Sequence, residues 1–305
     1  MFRHVRKSLC VANYPFDAVY YINLQSRPDR RRHMEKLLDE FSFVRRVPLV
    51  ERIEGISGEK IDVKELHRTQ QITDQAMQRY YKIPLSEKFY GMDLTDGALG
   101  CALSHRCVWQ KIIARDHKCT LILEDDVELS PEFPWQINSR MSTAPNDWDL
   151  LYLGGVDLLS SGKPPRPIVA PGWRRAYAGQ RELTAYVLNK QGAQICLDLT
   201  MCLNWQIDTH ICEVTAPDFD KARDFTGPKR TKSVVENTFQ PDSHSAQDRY
   251  ITKPMSYALQ PTLAIQLSKF GTNVQKSSEA QTGDAYAIDA KRRIREFYAG
   301  LTSVR

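Results

Sequence analysis

The stretch LILEDDVEL, residues 121–129, sets three carboxylates, Glu124, Asp125 and Asp126, directly behind the apolar run Leu121, Ile122 and Leu123. Adjacent like charges repel, and a carboxylate drawn towards a core must be hydrogen-bonded, paired or bound to a cation. A hard divalent ion such as Mg²⁺ or Mn²⁺ takes oxygen ligands, commonly a couple of carboxylates together with substrate phosphates. The triplet reads either as such a site or as a solvated strand end. Short acidic runs are common, so the residues by themselves leave both open.

Other residues suit an anionic ligand. INLQSRPDR places Arg27 and Arg30 in the turn after an apolar run, where guanidinium groups can reach phosphate or base atoms. A solvated helix start is the alternative, although arginine at a helix N-terminus opposes the macrodipole and asks for another reason. GALGCALSH joins Gly97 and Gly100, which permit close backbone approach, to Ser104 and His105. A lone helical histidine is more often structural than catalytic. Asp208, in the otherwise apolar NWQIDTHI, is the isolated carboxylate best suited to general-base work, with a structural cap as an equal alternative.

The elements that must position these residues follow from hydrophobic periodicity. DAVYYINL (17–24) is a compact apolar run and reads as a buried strand, followed by a helix through RRRHMEKLLDEF. VRRVPLVERIEG (44–55) predicts a second strand ending at Glu54 and Gly55. Residues 57–95 are polar, with mixed helix and loop signals and no clear period, and read as an irregular insertion. A helix then runs within 94–117, capped by Thr95 or Asp96, before the strand that carries the triplet. WDLLYLGG (148–155) predicts another buried strand; 182–199 a strand, a turn at Asn189 to Gln191 and a helix; 215–250 a long polar loop or lid; 257–275 a last strand-like piece. The alternation predicts an α/β fold with a mostly parallel central sheet flanked by helices, whose ligands gather at the carboxyl ends of the strands.

Composition narrows the class. The 305 residues are 42% hydrophobic and 26% charged, which excludes wholesale disorder. A net charge of +5 favours anionic ligands mildly. The basic residues cluster in RPDRRR, RRAY and KRRIR rather than interleaving with aromatics, so a nucleic-acid partner is not expected. The last cluster lies in DAYAIDAKRRIREFYAGL, a helix expected to pack on the domain, with a weak membrane-surface contact as the lesser reading. Seven scattered cysteines lack CxxC or zinc-like spacing and suggest free thiols. With no apolar leader, membrane-spanning run, glycosylation sequon or retention signal in view, a cytoplasmic protein is expected.

Six blocks, INLQSRPDRR, DGALGCALSHRCVW, LILEDDVEL, WDLLYLGG, AYVLNKQGA and the Asp208 region, stand in the order seen in glycosyltransferase family 25, which the chain resembles from about Ala18 to about Gln275. That family includes lipopolysaccharide galactosyltransferases and the domains that galactosylate collagen hydroxylysine. The resemblance implies a GT-A-type glycosyltransferase fold with a Rossmann-like sheet, a UDP-sugar donor, and inverting transfer of a hexose, galactose favoured over glucose. The acceptor would be a hydroxyl of a glycan, lipid-linked sugar or protein. It implies a domain over 17–275, between an N-terminal tail (1–16) and a C-terminal basic helix (276–305).

Mn²⁺ or Mg²⁺ would sit on Asp126 with Glu124, where other members of the fold carry a DxD motif. Asn23, Arg27, Arg30, Glu54, Ser104, His105, Glu124 and Asp125 would surround the donor, and Asp208 would be the catalytic base. A catalytically inactive sugar-binding or scaffolding protein of the same fold, or another metal-dependent nucleotidyl or phosphoryl transferase, are the competing readings.

Overall fold

The computed structural model describes residues 13–88, 91–157, 168–176, 180–214, 253–271 and 274. The expected lid at 215–250, the C-terminal basic helix and most of the N-terminal tail lie outside the described residues.

The first strand, β1 (Ala18–Leu24), lies at the heart of the sheet. It pairs in parallel with β2 (Leu49–Gly55) on one side and β3 (Thr120–Glu124) on the other. Beyond β3 the order continues through β10 (Ala185–Leu188), β5 (Leu150–Tyr152), β11 (Ser256–Leu259), β8 (Trp173–Arg175) and β7 (Ile168–Ala170). β10 opposes both its neighbours and β8 opposes both of its own, while β5 and β11 are parallel. Six of the eight strands therefore run one way, and the expected mostly parallel α/β sheet is observed.

Side-chain alternation on these strands builds two cores. Tyr20, Ile122, Tyr186 and Tyr152 face one side, and Val19, Leu121, Leu123, Val187 and Leu151 the other. The first face is covered by α5 (Asp96–Ala114), through Leu99, Ala102, Val108, Trp109 and Ile112, with α7 (Lys190–Leu199) and α8 (Ile207–Val214). The second is covered by α1 (Pro28–Glu40), through Met34, Leu37 and Leu38, and by α6 (Phe133–Ser142), through Phe133 and Ile137. Because both faces of the sheet are buried, its strands read as continuous apolar runs rather than as alternating ones.

Three sequence expectations need correction. Residues 57–95 are not structureless: they hold α3 (Val63–Arg68) and α4 (Asp74–Lys82). Both begin at a side-chain cap that the sequence displays, Asp62 accepting from the Lys64 and Glu65 amides and Thr73 from the Ala76 amide. The helices are too short for periodicity to reveal. The segment 44–55 is not one strand, since α2 (Phe43–Arg46) takes its start and the strand begins only after Pro48. The final strand-like stretch splits into β11 and β12 (Ala264–Gln266), and the latter leaves the main sheet to pair antiparallel with β4 (Val127–Leu129).

One buried group makes this packing sensitive to acid. His210 of α8 accepts the Asn204 N–H at Nδ1 (3.1 Å) and meets the Leu199 carbonyl at Nε2 (3.0 Å), so the neutral imidazole is the form that fits. Burial pushes its pKa down to about 4, against an ordinary 6.5. Above the ordinary value neither state is protonated and the native interaction is intact. Below it the unfolded chain takes up a proton that the folded chain refuses, so stability falls until the pH reaches the folded value. Urea denaturation should show wild type losing about 2 kcal/mol more than His210→Gln between pH 7 and pH 5. Equal losses in the two proteins would remove His210 as the cause.

Candidate functional site

β3 carries the acidic triplet out of the sheet. Its last residue, Glu124, stands opposite Ile22 of β1, and β1 turns directly into the loop before α1. The chain leaves β3 through Asp125 and Asp126 and joins β4. The triplet thus lies at the carboxyl end of two parallel strands, beside the reversed strand β10, which is where an open α/β sheet gathers its ligands. A cleft of about 590 Å³ opens there, its lining including Arg30, Ser104, His105, Glu124, Asp125, Asp126 and Gln266.

The triplet is neither a solvated strand end nor unpaired. Asp125 and Asp126 are almost fully buried. Arg30, in the first turn of α1, sends Nη1 to Asp125 Oδ1 at 2.7 Å and to Asp126 Oδ2 at 2.9 Å. Asn23 donates to Asp125 Oδ2 at 2.8 Å, and Gln266 donates weakly to Asp126 Oδ2 at 3.3 Å. Asn23 is itself oriented by Arg52, whose Nε donates to its Oδ1 at 3.1 Å. One oxygen stands apart: among the described residues, Asp126 Oδ1 is buried without a hydrogen-bond partner. Among the described residues, one guanidinium, that of Arg30, is in direct contact with the triplet. Burial first, and the neighbouring carboxylates second, hold Glu124 and Asp126 well above the usual carboxylate range. A buried acceptor left open in an acidic cluster is the position a hard cation fits.

Glu124 is held from behind. Trp109 Nε1 donates to the Tyr186 hydroxyl at 3.0 Å, that hydroxyl lies 2.7 Å from His105 Nδ1, and His105 Nε2 lies 3.2 Å from Glu124 Oε1. Burial lowers the His105 pKa to about 4, so the ring is neutral near pH 7. A neutral ring has one donor and one acceptor, so the chain runs in one of two directions: Tyr186 donates to Nδ1 and Nε2–H to Glu124, or Nδ1–H donates to Tyr186 and Nε2 accepts from a protonated Glu124 carboxyl. The i,i+4 spacing of His105 and Trp109 on α5 puts both on the helix face that meets β10.

The structure separates the residues singled out in the sequence. Arg30, Ser104, His105, Glu124, Asp125 and Asp126 converge on the cleft, with Asn23 supporting Asp125. Arg27 does not line it. Its guanidinium is held by Asp29 (3.0 and 2.7 Å) and by the Phe270 carbonyl (2.9 Å). Glu54 is exposed, 3.9 Å from Arg52, and also stands away from the lining. Asp208 caps its own surroundings, accepting the Glu182 amide at Oδ2 (2.9 Å) and the Thr209 amide at Oδ1 (2.8 Å). Glu182 adopts φ +66°, so this bond fastens a backbone conformation that glutamate disfavours. The charge of Asp208 nevertheless acts on Glu124 and on His105.

Three contributors to the site escaped the sequence reading. Gln266, at the end of β12, and Val274 lie along one wall of the cleft, where Arg27 donates to Phe270 O, Arg30 to Gly271 O (2.6 Å) and Thr95 to Val274 O (2.5 Å). These bonds join residues 179 to 243 positions apart, for which sequence carries no local signal. The third is the loop Ile56–Gly58, whose Ile56 amide donates to Ser104 Oγ at 2.8 Å.

That loop also explains Gly100, which makes room for protein backbone rather than for a ligand. A Cβ at Gly100 would stand 2.4 Å from the Ile56 carbonyl oxygen. Gly100→Ala should therefore push the loop off α5 and cost about 1–3 kcal/mol, measurable by chemical denaturation. An unchanged denaturation midpoint would show that the loop yields freely.

Comparisons with known proteins find glycosyltransferases. A family model described as glycosyltransferase family 25 (LPS biosynthesis protein) matches residues 16–158, which contain β1, α1, α5 and the triplet. A glycosyltransferase 25 family member of Drosophila melanogaster is 29% identical over 195 residues, covering 63% of this chain and 29% of its own. Procollagen galactosyltransferase 2 of Homo sapiens is 32% identical over 151 residues, covering 47% of this chain and 22% of its own. The chain thus spans less than a third of the length of these relatives. Among solved structures, a glycosyltransferase involved in glycosylation of the major capsid of PBCV-1 aligns over 91% of this chain and 98% of its own, at 9% identity and a TM-score of 0.37.

Proposed function

From the match of residues 16–158 to the glycosyltransferase family 25 model, we propose that the cleft at the end of β3 binds a UDP-hexose and transfers its sugar, with inversion, to an acceptor hydroxyl. Galactose is favoured over glucose, and a glycan, lipid-linked sugar or protein carries the hydroxyl, in keeping with the names of the relatives. The observation that carries this reading is the buried Oδ1 of Asp126, without a partner among the described residues, within an acidic cluster facing a cleft of about 590 Å³.

Asp126, with Glu124 beside it, would hold Mn²⁺ or Mg²⁺. Once bound, the ion supplies Lewis-acid stabilisation of the departing diphosphate. The protein's own residues do the rest. Arg30 keeps Asp125 and Asp126 in place while adding positive charge beside the diphosphate. His105 fixes the Glu124 carboxyl, and Ser104 holds the Ile56 loop that walls the donor. In the transfer itself the acceptor oxygen forms a bond to the anomeric carbon as the carbon–oxygen bond to UDP breaks. The hydroxyl proton passes to a carboxylate, for which Asp208 is the candidate. Excluding water from the cleft protects the donor from hydrolysis.

A panel of sugar nucleotides assayed for UDP release, with and without Mn²⁺, tests the proposal. UDP-galactose or UDP-glucose should be turned over only with the metal. Sugar-nucleotide binding without any release would favour a non-catalytic sugar-binding role, and release of nucleoside monophosphate would favour a nucleotidyl transferase. Asp208→Asn separates the base from a structural role. A base gives a fall in kcat at unchanged donor affinity, while a fastener of Glu182 gives weaker donor binding and lower stability.

A further inference from the structure

The same cleft holds a second constellation whose chemistry is not that of the oxygen cluster. Cys101 and His105 are four residues apart on α5 and so share one helix face. The Cys101 thiol, a ring nitrogen of His105 and a carboxylate oxygen of Glu124 all lie within 4.8 Å of one another. His105 Nε2 and Glu124 Oε1 are already 3.2 Å apart, close to the roughly 3.4 Å edge of a tetrahedron built with bonds of about 2.1 Å. A thiol set at most 4.8 Å away needs a side-chain adjustment of about 1 Å to complete that face. Cys101, His105 and Glu124 all line the cleft, so a fourth position faces open space. Behind His105 the Tyr186 hydroxyl sits 2.7 Å from Nδ1 and fixes the ring, as an outer-sphere partner fixes a ligating imidazole.

We propose that Cys101, His105 and Glu124 form a site for a thiophilic divalent cation of the Zn²⁺ class, with three protein ligands and a fourth position open to the cleft. Sulfur and imidazole select borderline and soft ions over Mg²⁺ and Mn²⁺, whereas Asp126 offers oxygen alone. Binding releases the thiol proton to solvent and draws on Glu124, which the oxygen site would otherwise share. Zn²⁺ therefore competes with the hard cation through one side chain. The site does not depend on the transferase reading, because its ligands and geometry stand without a donor.

The test is spectroscopic and needs no turnover. The full chain, reduced and stripped of metal with a chelator, is titrated with Co²⁺ and then with Zn²⁺. One equivalent of Co²⁺ should produce a thiolate-to-cobalt charge-transfer band, and one equivalent of Zn²⁺ should abolish it. Cys101→Ser should lose the band, with circular dichroism confirming the fold. Tyr186→Phe should keep the band but bind Co²⁺ about 10- to 100-fold more weakly. Asp126→Asn should keep the band, which separates this site from the oxygen site. Absence of the band in wild type, or its survival in Cys101→Ser, would overturn the proposal. Failure of UDP release would leave these readouts untouched.

Discussion

Asp126→Asn is expected to lower metal-dependent UDP release by about 10²–10³-fold while leaving the protein folded, because several kcal/mol of leaving-group stabilisation are lost with the metal ligand. The fold should tolerate the change. Asp126 takes part in the cluster through one ion pair and one weak hydrogen bond, and among the described residues its other oxygen has no partner to lose. Removing its charge also relieves repulsion from Glu124 and Asp125, which acts on it in the native state. The thermal midpoint should therefore stay near that of wild type. Full activity in the variant would show that the cation, if any, binds elsewhere.

The second large effect is on stability. Arg30→Met replaces the guanidinium with an apolar chain of similar length and leaves Asp125 and Asp126 buried beside Glu124 without their close cation. Breaking a buried ion pair from one side costs about 3–5 kcal/mol. For a domain of this size that corresponds to a fall of roughly 10 °C in Tm. The bond to the Gly271 carbonyl disappears with it. Mn²⁺ should restore part of the loss in this variant, since a cation on the carboxylates replaces the missing charge. An unchanged Tm would mean that the carboxyls are neutral in the native state and that Arg30 is dispensable to the cluster.

The contrast between Asp126 and Asp208 shows what sequence could and could not reveal. β1, β3, β5 and β10 were legible because each is a short, continuous apolar run buried on both faces, and α5 because Leu99, Val108, Trp109 and Ile112 recur at helical spacing. The place of the triplet followed from those strands. What it touches did not. Arg30 was visible as a basic residue after a strand, yet its employment as the counter-charge of residues 95 and 96 positions away is a tertiary fact. Asp208 read equally as a general base or as a structural cap, because its partners are backbone amides, Glu182 and Thr209, which no residue type announces. Gly100 signalled a close approach correctly but not what approaches. Glu124 is held through Trp109, Tyr186 and His105, by contacts that span 19 to 81 positions and leave no local signal.

The central claim is that Asp126 places a hard cation against a UDP diphosphate. Calorimetric titration of UDP into wild type and into Asp126→Asn, each with Mn²⁺ and with chelator, tests it most directly. The account predicts that Mn²⁺ tightens UDP binding at least tenfold in wild type and has no such effect in Asp126→Asn. Equal UDP affinity with and without Mn²⁺ in wild type, or the same metal-dependent gain in the variant, would contradict it.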